Sequence, residues 1–143
     1  MTEPAKDRAS TRILVIEDEP TLRQAIVRIL RGAGYDVVPA ANGLEGMTLW
    51  RQMDADLVVT DIQMPEKNGI EVVLELRALA PTLPIIAMSG GSRSRELDLL
   101  GDASLLGAVA LLQKPFTYDE LIAAVTAALG GRAAPDREEP RDG

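Results

Sequence analysis

Short apolar runs alternate along this chain with apolar stripes of helical spacing. The runs are Ile13-Leu14-Val15-Ile16, Tyr35 to Ala40, Leu57-Val58-Val59-Thr60, Ile85 to Met88 and Leu111-Leu112-Gln113. Continuous apolar runs of this length, bounded by polar or turn residues, predict buried strands. Leu22, Ala25, Ile26, Ile29 and Leu30 recur at the spacing of a helix laid on a core, with Pro20 suited to its first position and Gly32 and Gly34 to end it. Leu44, Met47 and Trp50 predict the inward face of a second helix capped by Asn42. Ile70, Val73, Leu76 and Leu79 mark a third helix over about 68–80, and Pro81 and Pro84 bracket the turn that follows. Thr117-Tyr118-Asp119-Glu120 is a capping box opening a last helix, with Leu121, Ile122, Val125, Ala128 and Leu129 on its buried side. Pro39 puts the second strand at a sheet edge. The stretch from Gly90 to Gly107 is the least regular, and a short or mobile fourth helix is expected there.

Strands alternating with helices call for a parallel sheet with right-handed crossovers and helices on both faces. The pattern fits a flavodoxin-like, doubly wound α/β fold with five strands in the order 2-1-3-4-5 and five helices. A chain of 143 residues suits one domain. Residues 12–130 form that domain, 1–11 read as a disordered arm, and the Pro- and charge-rich 131–143 as a disordered polar tail.

Composition narrows the chemistry. There is no cysteine and no histidine, so thiol catalysis, imidazole bases and zinc–thiolate sites are excluded. Any metal must be held by oxygen, which favours a hard cation such as Mg²⁺. The formal charge of −7 argues against binding a nucleic-acid backbone. No apolar stretch reaches the ~20 residues of a membrane span, and Met1 to Arg12 lacks a signal-peptide core, so a cytoplasmic location is expected.

Three runs end in charge: Glu17-Asp18-Glu19 after the first, Asp61 after the third, Lys114-Pro115 after the fifth. In an open parallel sheet the C-terminal strand ends share one edge, where ligands bind. Glu17, Asp18, Asp61 and Lys114 then converge. Like charges at ~4 Å and an effective dielectric of ~20 cost about 4 kcal/mol per pair, so such a cluster takes up protons or a cation. Each piece alone has an ordinary reading. An acidic run is commonly a helix N-terminus, Asp61 a cap, Ser89 before two glycines a turn, and Lys114-Pro115 a strand exit. Their joint placement at strand C-termini favours a site.

The constellation resembles the receiver domain of two-component response regulators over roughly residues 12 to 130. It is carried by Ile13 to Glu19, Asp61-Ile62-Gln63-Met64-Pro65 with Asn68-Gly69, Ser89 closing the fourth strand, and Lys114-Pro115-Phe116. The resemblance implies that Asp61 is a phosphoacceptor, with Asp18 and Asp61 binding Mg²⁺ directly, Glu17 through a water, and the Gln63 backbone carbonyl as a further ligand. It implies that Ser89 and Lys114 contact the phosphoryl group and that a cis Lys114–Pro115 peptide aims the lysine inward. The implied donor is a histidine kinase or a histidine phosphotransfer protein.

The short polar ending after Gly130 reads as a single-domain regulator whose output is protein contact, through the face of the fourth predicted helix, the fifth strand and the last helix. The chain is expected to be a phosphoacceptor with intrinsic transfer and autodephosphorylation chemistry, not a turnover enzyme. A Mg²⁺-dependent aspartyl phosphatase usually needs an acid two residues after the nucleophile, where this chain has Gln63. A degenerate, unphosphorylated binding module is disfavoured by the intact Glu17, Asp18, Asp61, Ser89 and Lys114. Two departures bear on switching. Gly90 and Gly91 leave the phosphoryl approach without flanking side chains, so Gly91→Arg or Gly91→Lys is expected to change the decay rate. Leu111 stands where the family has an aromatic residue that turns inward, so the movement is expected to pass through the backbone of 90–107.

Overall fold

The computed structural model describes residues 11–62, 69–90 and 110–130. The described residues form five strands: β1 (Arg12–Ile16), β2 (Asp36–Ala40), β3 (Leu57–Asp61), β4 (Ile85–Ser89) and β5 (Ala110–Gln113). Among the described residues there are four helices: α1 (Pro20–Gly32), α2 (Gly43–Gln52), α3 (Gly69–Leu79) and α4 (Tyr118–Ala128). The expected helix between β4 and β5 and the expected tail fall outside the described residues, as does the expected arm up to residue 10. Thr11, expected in that arm, is instead buried at the start of the sheet, its carbonyl accepting from the Asp36 N–H at 3.0 Å.

Every strand pair is parallel and the order is β2-β1-β3-β4-β5, the flavodoxin-like arrangement. Pro39 lies in β2, an edge strand, where one side needs no ladder donor. Alternation along the strands sorts the core into two layers. Ile13, Val15, Leu57 and Val59 join Ile26, Leu30, Leu121 and Val125 of α1 and α4, while Leu14, Ile16 and Val58 join Met47, Val72, Val73 and Leu76 of α2 and α3.

Local chemistry sets the helix ends. The Glu19 carboxylate caps α1 by accepting from the Leu22 N–H at 2.8 Å, and Pro20 follows in the first turn. Asn42 Oδ1 caps α2 through the Glu45 N–H. Thr117 and Glu120 form the reciprocal capping box of α4. After α1 the chain reverses through Gly34 at φ 101°, a conformation that favours glycine.

Three apolar positions face otherwise than their spacing predicts. Leu44 is 54% exposed because α2 seats on the sheet through Gly43, Gly46 and Met47. The helix comes so close that a Cβ on Gly46 would stand 2.4 Å from Ile16 Cδ1. Leu79 is 52% exposed: α3 buries Val72, Val73 and Leu76, and the layer beyond its end is filled by Leu83. Arg77 holds that connection by donating to the carbonyls of Ala80, Pro81 and Leu83. On α1, Ala25 is exposed and Val27 is buried instead.

Candidate functional site

The register levels the strand ends. Ile16 pairs with Thr60, Asp61 with Met88 and Ser89 with Gln113. Glu17, Asp61, Ser89 and Lys114 therefore emerge at the same edge of the sheet. Carboxylate oxygens of Glu17, Asp18 and Asp61 all lie within 4.8 Å of one another. Glu17 and Asp61 are buried, whereas Asp18 faces solvent.

Lys114 Nζ reaches into this group from the end of β5, 2.9 Å from Glu17 Oε1 and 3.3 Å from Asp61 Oδ2. The closer contact is an ion pair not aligned as a hydrogen bond, so Glu17 Oε1 keeps acceptor capacity. Glu17 Oε2 accepts from the Glu19 N–H at 3.1 Å. The Lys114 N–H donates to the Ser89 carbonyl at 2.7 Å, and the Lys114–Pro115 peptide is cis. A Cβ on Gly90 would stand 2.7 Å from Lys114 Cβ and 2.9 Å from Cδ, so the bare glycine gives the lysine stem its path across β4.

Burial raises the Glu17 carboxyl above the ordinary carboxylate range, and the charge of Asp61 adds to this; Lys114 and the Glu19 N–H pull the other way. For Lys114, burial disfavours the ammonium, but Glu17 and Asp61 outweigh it and the net shift is upward. The lysine therefore stays charged at neutral pH. Among the described residues, two buried carboxylates share one ammonium and a third carboxylate lies beside them, an excess of negative charge that a divalent cation would balance. All-oxygen donors at this spacing fit Mg²⁺. The Gln63 carbonyl and Gly91 lie outside the described residues. Ser89 Oγ is fully buried and, among the described residues, has no hydrogen-bond partner. A buried hydroxyl without a partner is costly and marks a group awaiting one. Leu111 is 41% exposed on β5.

Two positioning contacts were not anticipated from the sequence. The Thr60 hydroxyl, buried beside Asp61, donates to the Asp61 carbonyl at 3.1 Å. The Arg23 guanidinium donates to the Glu17 carbonyl at 2.9 Å and lies 3.5 Å from that of Asp18. An arginine in the first turn of a helix that follows an acidic strand end is a usable signal for the second, because its side chain can fold back onto the turn.

Comparison with known proteins agrees with this architecture. The profile of the response regulator receiver domain matches residues 13–126. The chain belongs to that family. It is 34% identical over 135 residues to the transcriptional regulatory protein PdtaR of Mycobacterium tuberculosis, covering 90% of this chain and 63% of that protein. It is 36% identical over 123 residues to the DNA-binding response regulator MtrA of Mycolicibacterium smegmatis, covering 86% and 52%. The chain thus spans between half and two thirds of these curated relatives. A receiver domain from Clostridium thermocellum superposes with a TM-score of 0.80 at 30% identity, covering 88% of this chain and 99% of that one. The regulator TrrA of Thermotoga maritima, solved in complex with Mg²⁺ and BeF, superposes with a TM-score of 0.74 at 33% identity, covering 84% and 100%. Among the described residues, no helix is long and apolar enough to cross a membrane.

Proposed function

We propose that this chain is a phosphoacceptor switch, phosphorylated on Asp61 by a histidine kinase or histidine phosphotransfer protein with Mg²⁺ as cofactor. The observation that carries this reading is the gathering of Glu17, Asp18 and Asp61, with Lys114 against Glu17 and Asp61 and, at the same sheet edge, a Ser89 hydroxyl that has no partner among the described residues. The solved complex of TrrA with Mg²⁺ and BeF supports it by similarity.

An Asp61 carboxylate oxygen attacks the phosphorus of a phosphohistidine. The P–O bond forms as the P–N bond breaks, and the electron pair returns to the imidazole nitrogen, which takes up a proton. Mg²⁺, held by Asp18 and Asp61 with Glu17 alongside, would neutralise negative charge on the transferring group. Lys114, already beside Asp61, turns its ammonium to a phosphoryl oxygen, and Ser89 Oγ donates to another. In this way the Ser89 hydroxyl gains an acceptor that it lacks among the described residues, and Lys114 exchanges a carboxylate partner for a phosphoryl one.

The output we favour is protein contact through the face that carries Leu111 and α4, in the cytoplasm. Incubation with acetyl phosphate and Mg²⁺ followed by intact-mass measurement tests the reading. Wild type should gain one phosphoryl group and Asp61→Asn none. A phosphorylated Asp61→Asn, or an unmodified wild type, would overturn it.

A further inference from the structure

We infer that Arg23 is a positioning residue of the carboxylate site, clamping the turn between β1 and α1 through its backbone carbonyls. The inference rests on reading Glu17, Asp18 and Asp61 as a divalent-cation site. The clamp itself follows from the geometry of the turn.

Arg23 Nη1 draws the Glu17 carbonyl to itself at 2.9 Å and lies 3.5 Å from the Asp18 carbonyl. A carbonyl held to one side fixes its peptide plane and therefore the direction in which the next Cα–Cβ bond leaves the chain. The 17–18 peptide sets the Asp18 side chain in this way. The 18–19 peptide is engaged at both ends. Its carbonyl faces Arg23, and its N–H, on Glu19, donates to Glu17 Oε2 at 3.1 Å. A shift of this peptide therefore moves the Glu17 carboxylate as well. Arg23 is in turn anchored by its own N–H, which donates to the Glu19 carbonyl at 2.9 Å. Charged donors on backbone carbonyls are among the stronger hydrogen bonds, and groups that orient metal ligands tune affinity without touching the metal.

Arg23 also lines an open groove of about 520 Å³ between α1 and Pro39, together with Gln24, Val27, Arg28 and Arg31. Water from the groove can reach the carbonyls if the guanidinium is removed, so the fold survives and the loss is one of precision. Arg28 shares the groove but has no hydrogen bond to the turn among the described residues, and so separates the clamp from the general field of positive charge.

The experiment compares Arg23→Gln, Arg23→Lys and Arg28→Gln in the full chain by two readouts: Mg²⁺ titration followed calorimetrically, and amide hydrogen exchange at Asp18 and Glu19 without metal. Arg23→Gln should weaken Mg²⁺ binding about tenfold, the lower end of the usual loss for a ligand-orienting partner, and speed exchange at Glu19. Arg23→Lys should recover part of both, and Arg28→Gln should leave both at wild-type values. Unchanged exchange at Glu19 in Arg23→Gln overturns the clamp, as does equal weakening of Mg²⁺ binding by Arg23→Gln and Arg28→Gln. A wild type that fails to bind Mg²⁺ overturns the metal reading and with it the role assigned to Arg23 there, whereas the exchange data still decide whether the clamp exists.

Discussion

The two edges of the sheet use the same residue types to opposite ends. At the N-terminal edge, Asp56 accepts from the Arg12 N–H at 2.9 Å, and Arg12 Nε meets Asp36 Oδ2 at 2.8 Å, so these two acids each have a donor close by. At the C-terminal edge, among the described residues, three carboxylates gather, two of them paired with the same Lys114 ammonium, and the buried Ser89 hydroxyl has no partner. The first arrangement is complete in the free protein. The second leaves acceptors and a hydroxyl in excess among the described residues, the condition in which a sheet edge has capacity for a ligand.

The sharpest way to break this contrast is at Asp61. Asp61→Asn keeps the shape of the side chain but removes the proposed nucleophile, so phosphorylation by acetyl phosphate should fall to nothing while the far-ultraviolet spectrum is retained. The mirror experiment is Asp56→Ala. It strips the Arg12 N–H of an acceptor at a buried position and should cost about 1–3 kcal/mol in urea unfolding, with the rate of phosphorylation per folded molecule unchanged. A loss of phosphorylation in Asp56→Ala beyond its loss of fold would show that the two edges are not independent.

Lys114→Met tests what the lone ammonium does. It leaves the buried Glu17 carboxylate without its counter-charge, and the metal-free protein should lose about 3 kcal/mol at pH 8, the low end for a buried pair that loses one partner. The loss should shrink toward pH 5. A carboxyl whose folded pKa is raised contributes stability that is fully present below its unfolded pKa and is lost as pH rises through the folded value, and Glu17 is such a group even in wild type. Without Lys114 its pKa rises further, so protonation restores stability at higher pH. Lys114 works in the same direction in wild type: its raised pKa gives stability present below its unfolded value and lost as pH climbs through the folded one. A Lys114→Met protein whose loss is the same at pH 5 and pH 8 would exclude the pairing with Glu17 as its source.

Strand order and the placing of Glu17, Asp61, Ser89 and Lys114 were legible because continuous apolar runs and their polar ends are local signals that a parallel sheet converts directly into position. The same holds for the Asn42 cap and the Thr117 capping box. What periodicity misread were faces whose orientation depends on a partner. Leu44 points outward because Gly46 lets α2 sit on Ile16, and Leu79 because Leu83 fills the layer beyond the end of α3. Arg23 escaped notice for a related reason: its role depends on backbone carbonyls, which leave no trace in residue type.

The smallest expected effect has the opposite sign from the others. Ser89 Oγ is buried without a hydrogen-bond partner among the described residues, and a polar group in that condition costs about 1–3 kcal/mol relative to a satisfied one. Ser89→Ala removes the hydroxyl and leaves a gap hardly larger than one atom, so the metal-free, unphosphorylated protein should be as stable as wild type or more stable by about 1 kcal/mol. The same change should slow phosphorylation by acetyl phosphate, because the hydroxyl is then missing where negative charge accumulates on the transferring group. Stability that rises while the rate falls is expected of a group kept for a state other than the resting one. A Ser89→Ala protein clearly less stable than wild type in urea would mean that Ser89 is satisfied in the free protein, and the C-terminal edge would then resemble the N-terminal one more closely than its geometry implies.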